Sequence, residues 1–203
     1  MLSAVNTVNT LPYVVEYSDQ VCVGDMWFAH GCIIPARGRY TKRMSKLPTL
    51  DEARKGMVAK AEWAVAHHDR FHYDEERPFP LPHDLPGPGE HIWIDCSGFA
   101  TLLSFWGGGG DPNGYHWNGL GNGESMAQHL KWIPQYDTLP GDFVCYAPYH
   151  VTIIMEPGTR TNLYTQKVVS MGHEGDPNFY ENGEFLREFP GAESIYMRLK
   201  ARE

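Results

Sequence analysis

The stretch Asp95-Cys96-Ser97-Gly98-Phe99 decides the fold, because it joins a short apolar run to the start of an amphipathic helix. Asp95 is a residue type that caps helix N-termini. The apolar residues after it recur at helical spacing, namely Phe99, Leu102, Leu103 and Trp106. The pattern predicts a helix with Cys96 in its first turn. There the helix dipole and unpaired backbone N–H groups lower the pKa of a thiol and favour a nucleophilic thiolate. A buried structural cysteine is the alternative.

A histidine follows at the point where thiol chemistry needs a base. Residues 139–146 form a turn and an alternating strand, and His150 opens the next apolar run, Val151-Thr152-Ile153-Ile154-Met155. An imidazole one hairpin away from a helix-start cysteine can take the thiol proton and later protonate a leaving amine. A lone histidine is more often a packing residue, but the combination with Cys96 favours catalysis by His150.

Three blocks of the chain carry a resemblance to a known family. They are Asp95-Cys96-Ser97-Gly98-Phe99, Pro140-Gly141-Asp142-Phe143-Val144 and His150-Val151-Thr152-Ile153-Ile154. The chain resembles the NlpC superfamily of papain-like cell-wall cysteine peptidases and, more closely, the peptidase module of endolysins from phages of actinobacteria. The resemblance covers roughly residues 39–200. Further similar stretches are 39–41, 49–68, 111–114 and 170–177.

The resemblance implies a fold and an activity. The expected fold is α+β and papain-like, with the nucleophile at a helix start packed on a small antiparallel sheet. Residues 39–203 would form the peptidase domain, and residues 1–38 an N-terminal extension or hairpin packed on it. The expected activity is hydrolysis of an amide bond in the stem peptide of peptidoglycan. Two alternatives stay open: an N-acetylmuramoyl-L-alanine amidase with the same site, and an inactive structural or binding module of a phage particle.

The resemblance also assigns site residues. Cys96 is the expected nucleophile and His150 the base. Tyr73 is expected to help bind the oxyanion, and Asp95 and Ser97 are assigned with it to oxyanion and substrate binding.

The third catalytic position departs from the family pattern. The relatives are expected to carry a histidine where this chain has Met171. A methionine is a poor acceptor for an imidazole N–H. His173 lies two residues on and would share the same strand face if the strand continued. We therefore predict that His173 orients His150, with Ser170 or a backbone carbonyl as the weaker alternatives.

Composition limits the partners and the location. The 203 residues carry a formal net charge of −8, which argues against a nucleic-acid partner. No apolar run approaches a membrane span, and residues 1–17 lack the features of a signal peptide. The expectation is a monomeric protein of the host cytoplasm that acts on the bacterial wall after release. No cofactor is expected. The ten histidines form no known metal-site motif, so no metal is expected either.

The periodic patterns predict helices before strands. A capping box at Thr49-Leu50-Asp51-Glu52 starts a helix that ends near His68, and another helix is expected at 124–132. Strands are expected at 143–146, 151–156, 167–170 and 195–199. This order indicates an α+β domain.

Overall fold

The computed structural model describes residues 47–159 and 162–200, together with the backbone of four short strands nearer the N-terminus. The chain divides into two compact units, Met1–Ser45 and Lys46–Glu203. The similar stretch at 39–41 lies outside the described residues.

The N-terminal unit contains a four-stranded antiparallel meander. Its strands are β1 (Val14–Tyr17), β2 (Gln20–Val23), β3 (Met26–Ala29) and β4 (Cys32–Pro35), which pair in chain order. Hydrogen bonding between neighbours in sequence is what short loops between antiparallel strands favour.

The second unit begins with the helix that the capping box predicts. Helix α1 (Leu50–Ala66) is capped by Thr49, whose side chain accepts from Glu52 N while the Glu52 carboxylate accepts from Thr49 N. The apolar stripe Ala53, Met57, Ala61 and Ala64 is buried. Short parallel strands β5 (Phe71–His72) and β6 (Ile92–Trp93) follow, separated by the proline-rich segment 74–90. Strand β6 leads directly into the helix that carries Cys96.

Helix α2 (Cys96–Trp106) is almost entirely buried along its length. Helix α3 (Gly123–His129) is shorter than the predicted 124–132, because the chain leaves it to form the short strand β7 (Lys131–Trp132). At residues 131–132, pairing with the C-terminal strand of the sheet overrides the helical pattern. Trp132 pairs with Met197, and Lys131 pairs with Arg198.

The remaining strands complete a six-stranded antiparallel sheet. They are β8 (Phe143–Ala147), β9 (His150–Glu156), β10 (Lys167–Ser170), β11 (Asn178–Glu181) and β12 (Glu193–Arg198), with helix α4 (Asn182–Glu188) between the last two. The order across the sheet is β11-β10-β9-β8-β12-β7. The four predicted strands are confirmed within two residues, whereas the sequence patterns did not predict β11 and α4.

The sheet packs on both faces. On one face, a large apolar cluster joins α1 and α2 to alternate strand residues that include Cys145, Val151 and Val169. On the other face, a smaller cluster joins α4 to Val144, Tyr146, Ile154 and Val168. The second unit is therefore a mixed α+β domain, as predicted. Within the described part of the chain, no helix combines the length and apolar character needed to cross a membrane.

Candidate functional site

The turn that carries Cys96 is fixed by its own N-cap. The Asp95 side chain accepts a hydrogen bond from Gly98 N at 2.7 Å, and Cys96 is the first residue of α2. Gly98 is required by close packing, since a Cβ there would lie 2.5 Å from Ile94 Cγ1. The sequence pattern therefore placed Cys96 correctly at a helix start, and the residue as a whole is half-buried.

Arg77 holds this turn from outside the helix. Its Nη2 donates to Asp95 Oδ2 at 2.5 Å and to Ser97 Oγ at 3.0 Å, and its Nε donates to the Gly121 carbonyl at 3.0 Å. The polar groups of Asp95 and Ser97 are thus engaged in positioning the Cys96 turn. Sequence patterns gave no sign of Arg77, because it lies in the proline-rich segment far from any motif.

Burial keeps the thiol protonated. It raises the pKa of Cys96 to about 12, and the charge of Asp95 adds to the shift. The backbone N–H groups of Val151 and Ser97 act in the opposite direction without reversing it. The expectation of a lowered thiol pKa is therefore wrong for this structure, because the cost of desolvating a thiolate exceeds the gain from the helix start.

His150 is held by a serine and by aromatic rings. Its Nε2 lies 2.6 Å from Ser170 Oγ, and its ring stacks on Phe185 of α4 with centroids 4.9 Å apart. His150 is 7 % exposed. Burial lowers its pKa to about 4, although the charges of Asp176 and Asp95 act to raise it. The imidazole is therefore neutral at pH 7 and free to accept a proton.

The structure brings Cys96 to the backbone of the strand that His150 opens. The Cys96 sulfur lies within hydrogen-bonding reach of Val151 N, which is one peptide bond from His150 Cα. Cys96 packs on the cluster beneath α2, whereas the His150 ring packs on α4 at the other face of the sheet. The contacts of the described residues therefore link Cys96 to the backbone of β9, and no ring-to-sulfur contact is among them.

The residue next to the His150 ring nitrogen is Ser170 and not His173. The His173 side chain is 69 % exposed, and its Nδ1 lies 3.0 Å from the Glu174 carbonyl. The strand β10 ends at Ser170, so the two-residue alternation does not extend to His173. Met171 is fully buried in the cluster beneath α2. The contact with His150 that was predicted for His173 is thus made by Ser170, the weaker alternative of the sequence analysis.

Tyr73 packs against the same apolar cluster as Cys96. Burial raises the pKa of its phenol, and the hydrogen bond to Glu75 raises it further. The Tyr73 hydroxyl donates to Glu75 Oε1 at 2.8 Å. Tyr73 therefore shares a cluster with Cys96, with its hydroxyl engaged by Glu75.

A histidine cluster borders Tyr73. His72 Nδ1 lies 2.7 Å from Glu174 Oε1, and His72 Nε2 lies 3.0 Å from His91 Nδ1. The His72 ring stacks on Trp93, with centroids 5.1 Å apart. Hydrogen bonds within the cluster satisfy these nitrogens. Among residues 47–159 and 162–200, no group of three or more His, Cys, Asp or Glu side chains has the arrangement of a metal site.

Comparison of the chain with protein-family models, with curated proteins and with solved structures gives no match. The chemistry of the site therefore rests on its own residues.

Proposed function

We propose that this protein is a peptidoglycan hydrolase of papain-like type, with Cys96 as the nucleophile and His150 as the general base. The observation that supports it is the position of the Cys96 sulfur, in the first turn of a capped helix and within reach of Val151 N. The proposed bond is an amide of the stem peptide, the substrate that the sequence resemblance implies. The proposed partner is the bacterial wall, reached by a monomer made in the host cytoplasm.

The proposed reaction is acyl transfer through a thioester. The Cys96 sulfur attacks the amide carbonyl carbon while His150 takes the thiol proton. The C–N bond then breaks, and the proton passes from the imidazolium to the leaving amine. Water attacks the thioester, which releases a carboxylic acid and restores the thiol. The Cys96 N–H stabilises the oxyanion, and Tyr73 lines the same side of the site.

This mechanism starts from neutral groups. Because the thiol pKa is raised and the imidazole pKa is lowered, proton transfer accompanies the attack instead of preceding it. His150 is the first residue of β9, so its side chain stands at the end of the sheet.

Digestion of purified peptidoglycan tests the proposal. Mass spectrometry of the products should show new peptide amines with the native protein and none with Cys96→Ala or His150→Ala. Cys145→Ala, which removes a buried thiol of β8, is the matched control and should remain active. Free lactyl ends in place of peptide amines would identify the amidase alternative. Full activity of Cys96→Ala would overturn the thiol mechanism.

A second candidate is an inactive structural or binding module of a phage particle. The observation that favours it is the packing of the two side chains against different clusters, with the His150 ring stacked on Phe185 and Cys96 packed beneath α2. The bifunctional alkylating agent 1,3-dibromoacetone distinguishes the two candidates, since it links a thiol to an imidazole only when both can meet. A Cys96–His150 cross-link in a peptide digest supports the enzyme. Mono-alkylated Cys96 alone, together with intact peptidoglycan, supports the inactive module.

A further inference from the structure

A buried carboxylate lies next to His150 in the loop after β10. Asp176 is 1 % exposed. Its Oδ2 accepts a hydrogen bond from Gly172 N at 2.8 Å, and its Oδ1 accepts one from the Tyr180 hydroxyl at 2.6 Å. These two hydrogen bonds hold the carboxylate in place. The basic side chain near it is His173, whose mainly exposed ring has its Nδ1 3.9 Å from Asp176 Oδ2.

Gly172 keeps the space between the carboxylate and the ring open. A Cβ at Gly172 would lie 3.2 Å from His150 Cε1 and 3.6 Å from Asp176 Oδ2. The same small volume therefore touches the edge of the imidazole and the carboxylate oxygen. Any side chain at position 172 would fill the space beside the two groups, whereas glycine leaves that space open.

Few other charges face the ring. Asp95, the N-cap of α2, is one of them, and it is ion-paired with Arg77. From the loop after β10 come Asp176 and His173. On the helix that packs against the ring, α4, the carboxylates are Glu184 and Glu188, whose charges act on Tyr180.

Two polar groups without net charge complete the surroundings of the ring, Ser170 on β10 and the stacked Tyr146 on β8. Among these groups, Asp176 is therefore the buried carboxylate that acts on His150 without being paired to an arginine or a lysine.

We propose that Asp176 is the electrostatic positioning residue of His150, whose carboxylate stabilises the imidazolium that forms when the ring accepts the thiol proton. Asp176 would thus act beside Ser170: the serine hydroxyl holds the ring at Nε2, and the carboxylate supplies the negative charge that neither Ser170 nor the apolar Met171 carries. This inference rests on the proposed function for its catalytic meaning, but the pairing of Asp176 with His150 is testable without any activity. A fixed anion in a buried site favours the charged form of a neighbouring base more strongly than it would in water.

The test follows the titration of His150 by NMR in protein labelled with ¹³C-histidine. In the native protein the Cε1–H signal should begin to shift as the pH falls towards 4. In Asp176→Asn, which removes the charge and keeps the shape, that shift should move to lower pH by one unit or more. Tyr180→Phe keeps the charge and loses one hydrogen bond, so its titration should not move downward. Asp176→Glu should restore part of the native behaviour.

Activity gives the second measurement. If the proposed function holds, Asp176→Asn should lower kcat about tenfold or more while KM changes little, because the carboxylate acts on the imidazolium and not on the substrate. Identical His150 titrations in native protein and Asp176→Asn would overturn the pairing, as would a His150 that stays neutral in both until they unfold. A displaced titration with no hydrolysis by the native protein would overturn the proposed function and leave the pairing supported.

Discussion

At the scale of single residues, burial decides the protonation of the candidate site. Cys96 stands at a helix start that stabilises a thiolate, yet burial raises its pKa to about 12. His150 has two carboxylates in reach, yet burial lowers its pKa to about 4. Both shifts have the same cause, since transfer out of water disfavours whichever form carries charge. The resting site is therefore a neutral thiol and a neutral imidazole.

The pH dependence of alkylation follows from these shifts. A group with a raised pKa reaches its reactive thiolate form only at high pH, so labelling of Cys96 by iodoacetamide should be slow at pH 7 and should climb through pH 10. Peptide mass spectrometry of timed samples measures the rate at Cys96, and Cys145, also raised in pKa to about 11, provides an internal comparison. A rate at Cys96 that is already maximal at pH 6–7 would instead indicate a thiolate–imidazolium pair.

The orienting role of Ser170 gives a second prediction at this scale. Ser170→Ala removes the Oγ that lies 2.6 Å from His150 Nε2, and should lower kcat roughly ten- to a thousandfold with little change in KM. Ser170→Thr keeps a hydroxyl and should recover part of the loss. His173→Ala is the matched control, because its exposed ring does not contact His150, and it should retain nearly full activity. The opposite ranking of Ser170→Ala and His173→Ala would restore the assignment to His173.

At the scale of elements, two glycines let α1 approach the end of α2. A Cβ at Gly56 would lie 2.7 Å from the Gly107 carbonyl oxygen, and a Cβ at Gly107 would lie 2.7 Å from Met57 N. The Gly107 carbonyl oxygen and Met57 N are backbone atoms, so they cannot move aside as the end of a flexible side chain would. The close crossing positions α2, and with it the turn that bears Cys96.

Gly56→Ala should therefore destabilise the protein even though alanine is the better helix former. The clash is expected to cost about 1–3 kcal/mol, which outweighs the gain of about 1 kcal/mol in helix propensity. Urea unfolding gives the free energy from the midpoint and slope. Lys55→Ala, one residue earlier on the exposed side of α1, should stay within about 0.5 kcal/mol of the native value. A stabilised Gly56→Ala would show that the helices have room to separate.

At the scale of the whole molecule, the last strand is tied to the turn that precedes β8. Arg198 Nε donates to Asp142 Oδ1 at 2.9 Å and Arg198 Nη2 donates to Asp142 Oδ2 at 2.7 Å. Asp142 is fully buried, and its Oδ2 also accepts from Leu139 N at 2.8 Å. This bidentate ion pair ties β12 to the turn that precedes β8.

Arg198→Met should destabilise the protein strongly, by about 3–5 kcal/mol, because it leaves a buried carboxylate without its cation. The double variant Asp142→Asn with Arg198→Met should recover part of that loss. Lys167→Met, which breaks an exposed pair with Glu156, is the control and should cost about 0–1 kcal/mol. Calorimetric or urea unfolding of the four proteins measures the series. Equal losses for Arg198→Met and Lys167→Met would show that the buried pair contributes no more than an exposed one.

The sequence by itself determined the features that depend on neighbours along the chain. The capping box at Thr49, the N-cap at Asp95 and the position of Cys96 at a helix start all follow from local hydrogen bonds and helical spacing, and the structure has them where the sequence predicts them. Strands β8, β9, β10 and β12 follow from the apolar patterns in the same way, whereas β11 does not. These signals act within a few residues, so no knowledge of the fold is needed to find them.

Only the tertiary structure decided which groups meet. Arg77, within the proline-rich segment, donates to Asp95. Ser170, and not His173, contacts His150, and Asp176 lies near the same ring beside Gly172. The protonation of Cys96 and His150 was likewise decided by burial, which depends on how α2 and α4 pack on opposite faces of the sheet. Contacts and desolvation arise between segments that are distant in sequence. The local periodicity of a sequence therefore predicts neither of them.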